Sequence, residues 1–180
     1  MYRRLASVTL GIALAMGTVG IAASPAGAAT VQSCTKVAGT ITMSPGLNTA
    51  AANQKVTIKG TQSACKPTAK TGGTGAFLSQ FTLKNASCGT LINGGTKFTG
   101  PAKTTWKNKK TTSYTITYTD GKGAAVVNIT MAGKVTSGLF AGKKFAGGIK
   151  IDINSTNANA CTGAPFKSAK WAQLKAWTIS

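Results

Sequence analysis

Apolar residues recur at every second position over most of this chain. That period of two is what a pleated strand requires when one face meets a core and the other meets water. Val56 and Ile58 alternate with Thr57 and Lys59, and Phe81 and Leu83 with Thr82 and Lys84. Tyr114, Ile116 and Tyr118 alternate with three threonines, and Val127, Ile129 and Met131 with Asn128 and Thr130. Ile149, Ile151 and Ile153 alternate with Lys150 and Asp152, and Trp171 and Trp177 bracket the last run. Gly72-Gly73, Asn93-Gly94-Gly95, Asp120-Gly121-Lys122-Gly123 and Gly147-Gly148 punctuate these runs, and Asp120-Gly121 is the clearest hairpin signal. The pattern predicts an all-β fold: a single antiparallel sandwich or small barrel of about eight strands. One helical turn over residues 87–92 is the only helix expected. Threonine suits the half-wet outer faces, and lysine there discourages edge-to-edge pairing.

The N-terminus has a different character. Met1-Tyr2-Arg3-Arg4 is positive, a mostly apolar stretch runs from Leu5 to Ala23, and Ser24-Pro25-Ala26-Gly27-Ala28-Ala29 is rich in small residues. That order is the order of a secretory signal peptide. Residues 1–29 are therefore expected to be a leader, cleaved after Ala28 or, preferably, Ala29. Residues 30–180 then form one exported domain, a normal size for a single core. No later segment is long and apolar enough for a transmembrane helix. The expected location is extracellular, with at most a loose, non-covalent hold on the cell surface.

Four cysteines, Cys34, Cys65, Cys88 and Cys161, all fall in the exported part. An even count in an oxidising compartment predicts two disulfides. Strand-like runs over residues 35–42 and 54–64 flank the turn-rich Ser44-Pro45-Gly46-Leu47-Asn48. Folding them as an antiparallel pair sets Cys34 opposite Cys65, within bridging reach. Cys88–Cys161 follows by elimination and closes a long loop, worth about 4 kcal/mol in the chain-entropy view. The wide spacing and the absence of histidine argue against a metal site.

Three segments carry a resemblance. The leader's Ser24-Pro25-Ala26-Gly27-Ala28-Ala29, the run Ala38-Gly39-Thr40-Ile41-Thr42-Met43-Ser44-Pro45-Gly46-Leu47, and Val135-Thr136-Ser137-Gly138-Leu139-Phe140-Ala141-Gly142-Lys143 are similar to those of small exported actinobacterial all-β proteins of unknown function. The resemblance implies export and an all-β fold. It carries over no catalytic residue and no activity.

The ionisable inventory restricts the chemistry. The chain has 21 Lys plus Arg, two acidic residues (Asp120 and Asp152) and no histidine. Acid–base catalysis usually draws on carboxylates or imidazoles poised near neutral pH, so no enzyme and no cofactor is expected. Asp120 begins a turn, where aspartate commonly bonds nearby amides. Asp152, between two isoleucines, should face away from them. Gly138-Leu139-Phe140-Ala141-Gly142-Lys143-Lys144 lacks the spacing and the hydroxyl of a phosphate loop and reads as a hairpin or longer loop. Asn85-Ala86-Ser87, Asn128-Ile129-Thr130 and Asn154-Ser155-Thr156 match the glycosylation tripeptide by chance.

Charge supplies the remaining functional signal. Both arginines, Arg3 and Arg4, lie in the leader, so every cationic side chain of the exported part is lysine. Trp106, Lys107, Lys109 and Lys110 at a hairpin tip, and Lys143 and Lys144 beside Phe140 and Phe145, are candidate polyanion contacts. A third group, Lys167, Lys170 and Lys175, lies near Trp171 and Trp177. Readers of nucleic-acid sequence lean on the planar fork of arginine, so no specific nucleic acid is expected. Lysines alone attract polyanions diffusely, and the nearest partners of an exported protein are anionic envelope polymers and anionic lipids. The expected function is a non-enzymatic secreted or cell-surface domain of this kind. The alternative is a secreted effector, an antibacterial protein or a protease inhibitor, presenting a loop such as residues 66–75.

Overall fold

The computed structural model describes residues 29–123, 126–153, 161 and 164–180. Residues 1–28 of the expected leader and the tripeptide beginning at Asn154 lie outside the described residues. Eight strands follow in chain order: β1 (Gln32–Leu47), β2 (Ala52–Lys66), β3 (Gly75–Ala86), β4 (Lys97–Trp106), β5 (Thr111–Asp120), β6 (Val126–Gly138), β7 (Lys144–Asp152) and β8 (Phe166–Ile179). A short helix, α1 (Cys88–Asn93), sits between β3 and β4, capped by Ser87 and Thr90 in a reciprocal box. Each strand pairs antiparallel with the next, and β1 also pairs with β8. The sheet is a closed up-and-down barrel, so the choice between sandwich and barrel resolves to the barrel.

Alternation decides what fills the interior. On β5 the buried face is Thr112, Tyr114, Ile116, Tyr118 and Asp120, and on β7 it includes Phe145, Ile149 and Ile151. All lysines of residues 30–180 are exposed on the outside. A polar outer wall around an apolar interior is the reverse of what a barrel presents to lipid. No helix among the described residues is long and apolar enough to cross a membrane.

The barrel is narrow, and large rings share it with glycines on neighbouring strands. The Trp171 and Trp177 rings stack at 5.8 Å, and Phe77 and Phe145 meet Trp177 edge-on at 4.8 and 5.6 Å. Gly39 and Gly60 are direct partners across β1 and β2, and Trp171 lies over them. A Cβ on Gly60 would overlap the Trp171 ring. The glycines here serve close approach rather than an unusual backbone angle.

Buried polar groups are largely paired, as an apolar interior demands. Gln62 Nε2 donates to Thr104 Oγ1 at 2.7 Å, and Tyr114 Oη to the same oxygen at 3.2 Å. Tyr118 Oη donates to Ser79 Oγ at 2.7 Å, which donates to the Pro101 carbonyl at 2.7 Å. Gln54 clamps both backbone groups of Gly46, at 2.9 and 3.0 Å. Burial pushes the Tyr114 phenol up to about 12, against the pull of hydrogen bonds from Thr104, Thr112 and Gln62, and pushes Tyr118 up as well. Two buried atoms have no partner among the described residues: Trp171 Nε1 and Asp120 Oδ1.

Both expected disulfides form, Cys34–Cys65 and Cys88–Cys161. The first joins directly paired residues of β1 and β2, and the second ties the start of α1 to the segment before β8.

Two outcomes follow from the interior. Gly60→Ala is expected to destabilise the fold by about 1–3 kcal/mol through overpacking. Part of that cost should vanish in a Trp171→Leu background, a coupling measurable by denaturant unfolding of the four proteins. The second concerns Asp120. Burial raises its pKa, and backbone hydrogen bonds at Thr96, Asp120 and Gly95 only partly offset this. The native state then holds this proton to higher pH than the unfolded chain does, so the Asp120 contribution to stability falls as pH rises from the ordinary carboxylate value to the raised one. Lys84 is the one lysine bordering the same cavity, and no lysine comes within ion-pair reach of Asp120 among the described residues. Asp120→Asn is therefore expected to raise Tm at neutral pH and to flatten this part of the Tm–pH curve.

Candidate functional site

An up-and-down meander sends alternate connections to opposite ends. The β2–β3, β4–β5 and β6–β7 connections share one end with the start of β1 and the end of β8. Lys66 ends β2 and Lys70 follows in the first connection, Lys107, Lys109 and Lys110 lie in the second, and Lys143 closes the third with Lys144 opening β7. Both acidic residues belong to the opposite end, where β5 finishes at Asp120 and β7 at Asp152. Folding thus separates the few carboxylates from the densest group of lysines.

The three connections are held as one surface. The β4–β5 hairpin closes through Trp106 N–H to the Lys110 carbonyl and Lys109 N–H to the Trp106 carbonyl, both at 2.9 Å. Lys109 takes a left-handed φ of 66° in this turn. Asn108 Nδ2 donates to the Lys70 carbonyl at 2.6 Å, and Lys107 N–H to the Thr74 carbonyl at 3.0 Å, joining this hairpin to the β2–β3 connection. On its other side, Leu139 N–H donates to the Thr111 carbonyl at 2.8 Å, and Thr112 Oγ1 to the Leu139 carbonyl at 3.1 Å.

At the junction sits Phe140, half-buried, with its ring edge-on to Trp106 at 6.4 Å and Lys70 Nζ 6.0 Å from its centroid. That ammonium distance is at the outer limit of a cation–π contact. A shallow depression of about 310 Å³ lies between Val31, Lys70, Lys110, Leu139, Phe140 and Lys143. Its floor is apolar and its rim carries positive charge, which suits a flexible anionic chain with some apolar surface.

The structure unites Lys107, Lys109 and Lys110 with Lys143 and Lys144, but it removes Trp106 from the surface. Only 2% of Trp106 is exposed, and its Nε1 donates to Thr112 Oγ1 at 2.7 Å, so the ring cannot stack on a ligand. Phe145, Trp171 and Trp177 are likewise buried. Lys167, Lys170 and Lys175 belong to β8 and run along the barrel wall instead of joining the end. Lys66 and Lys70 were missed because nothing local links them to Lys107. The segment resembling a phosphate loop is the β6–β7 connection, a turn closed by Lys143 N–H to the Phe140 carbonyl at 3.0 Å.

Comparison with protein-family models, with curated proteins and with solved structures finds no match.

Asn108 is the stitch to test. Asn108→Ala should cost about 0.5–1.5 kcal/mol, the worth of a typical hydrogen bond. It should also speed amide exchange at Lys110, whose N–H donates to Asn108 Oδ1 at 3.2 Å.

Proposed function

We propose that this chain is a secreted, non-enzymatic β-domain that associates with anionic envelope polymers through the lysine-bearing end of its barrel. One observation carries the reading: three sequence-distant connections are hydrogen-bonded into a single end of the barrel that displays Lys66, Lys70, Lys107, Lys109, Lys110, Lys143 and Lys144, with Lys70, Lys110 and Lys143 beside Phe140. A formal net charge of +19 over the whole chain, and of +17 without the leader's two arginines, supplies long-range attraction to any polyanion. The clustering gives that attraction a place to act. The absence of arginine outside the leader favours diffuse, salt-sensitive contact over bidentate recognition of one sequence or one phosphate. The two disulfides support export, since such bridges persist in oxidising compartments.

Binding of inorganic polyphosphate, measured across a salt series, tests the proposal. The logarithm of the affinity should fall linearly with log salt. Replacing Lys107, Lys109 and Lys110 together by Gln should lower the slope by about 2–3, at roughly 0.7–0.9 per neutralised phosphate. The same change at Lys59, Lys103 and Lys150 on the barrel wall should leave the slope nearly intact. Equal losses from both triple variants would show that net charge alone matters and would sink the assignment to this end. Co-sedimentation of the two variants with isolated cell walls extends the same comparison to native material.

A further inference from the structure

The opposite end of the barrel holds a second feature, independent of the lysines. A cavity of about 80 Å³ opens there, bordered by α1 and by residues of six strands, β1 to β6. Its lining is apolar, chiefly Ile41, Met43, Val56, Leu83, Leu91 and Phe98. One water needs about 10–15 Å³, so the space has room for a short apolar body.

Asp120 borders this cavity and is the last inward-facing residue of β5. It is 5% exposed, and its Oδ1 is fully buried with no hydrogen-bond partner. An unpaired buried carboxylate oxygen is costly, and proteins seldom retain one without a use. The χ2 torsion is broad for aspartate, so a partial turn of the carboxylate brings this oxygen toward a donor that enters the cavity. The arrangement is that of a small-molecule site: mostly apolar walls, a few polar residues (Asn85, Ser87, Thr90 and Thr96) and one buried carboxylate that sets orientation.

We propose that this cavity binds a small amphiphilic amine, its apolar body among Ile41, Val56, Leu91 and Phe98 and its protonated nitrogen on Asp120. An ammonium is the partner chosen because it supplies both the missing donor and the neutralising charge, and charge-assisted hydrogen bonds are the strong ones. Lys84, exposed at the mouth, opposes a cation there, but its ammonium is in water and is screened over about 8 Å at physiological salt. Asp152, the other acid of this end, is exposed on the outer face of β7 and serves as the control.

The test is calorimetric titration of the intact exported domain with n-butylamine, n-butanol and n-butyrate. The amine should bind and butyrate should not. Asp120→Asn should weaken the amine roughly tenfold or more, the worth of a charged hydrogen bond, and leave the alcohol nearly unchanged. Asp152→Asn should leave both unchanged, and Val56→Phe, which fills the cavity, should abolish both. If Asp120→Asn fails to fold, the wild-type protein still decides the matter: amine affinity should rise with pH as Asp120 ionises, and alcohol affinity should not. Equal binding of amine and alcohol at every pH, unaltered amine binding in Asp120→Asn, or a cavity that takes up only water would overturn the proposal. The readout does not involve the lysine end, so its failure leaves the polyanion proposal untouched.

Discussion

The pairing of β1 with β8 is the constraint on which the rest of the molecule depends. It runs from Gln32 opposite Ile179 to Leu47 opposite Phe166, with irregularities between Cys34 and Ala38 and between Thr42 and Leu47. Without it the meander would be an open sheet with two exposed edges and one greasy face. With it, every strand has two neighbours and the greasy face becomes an interior. The irregularities let β1 bend and shift which residues point inward: Cys34 is buried, and after the shift so are Val37 and Ile41. Closure also brings Trp171 of β8 over Gly39 and Gly60, where any side chain on either glycine would collide with the ring. Small and large residues therefore have to alternate around the circumference, and the glycines of β1 and β2 are part of the core's shape.

Closure then gives the barrel two unlike ends. In a meander, connections alternate between ends, so loops far apart in the chain are gathered by parity. One parity collects Lys66, Lys70, Lys107, Lys109, Lys110, Lys143 and Lys144 with Phe140. The other collects α1, both acids and the apolar cavity. Each end has its own covalent tie, Cys34–Cys65 at the lysine end and Cys88–Cys161 at the other. The two proposed roles, charge attraction and small-molecule capture, would thus occupy opposite ends of one barrel without competing for surface.

Much of this was open to a reading of the residues in order. The eight strands, the helical turn and the Cys34–Cys65 pairing follow from local periodicity and from the turn at Ser44–Asn48, because both are short-range properties of the chain. Asp120 was also within reach. The inward series Tyr114, Ile116, Tyr118 continues by two to Asp120, yet the adjacent glycine made it look like an ordinary turn residue. Strand parity outweighed turn chemistry at that position. Trp106 failed for a related reason: it ends the inward series Ala102, Thr104, Trp106 of β4, so its place in the hairpin tip did not make it accessible.

By itself the sequence determined the class of fold, the covalent ties and the chemical poverty of the domain, since periodicity, cysteine placement and composition act locally or by simple count. Only the tertiary structure decided that the sheet closes, which lysines share an end, and that Asp120 borders an apolar cavity. Those outcomes depend on which strands become neighbours and on how the bends in β1 shift its inward face. The closure and the bends in β1 are set by its pairing with β8, more than a hundred positions away, and no local pattern in the chain encodes that distance.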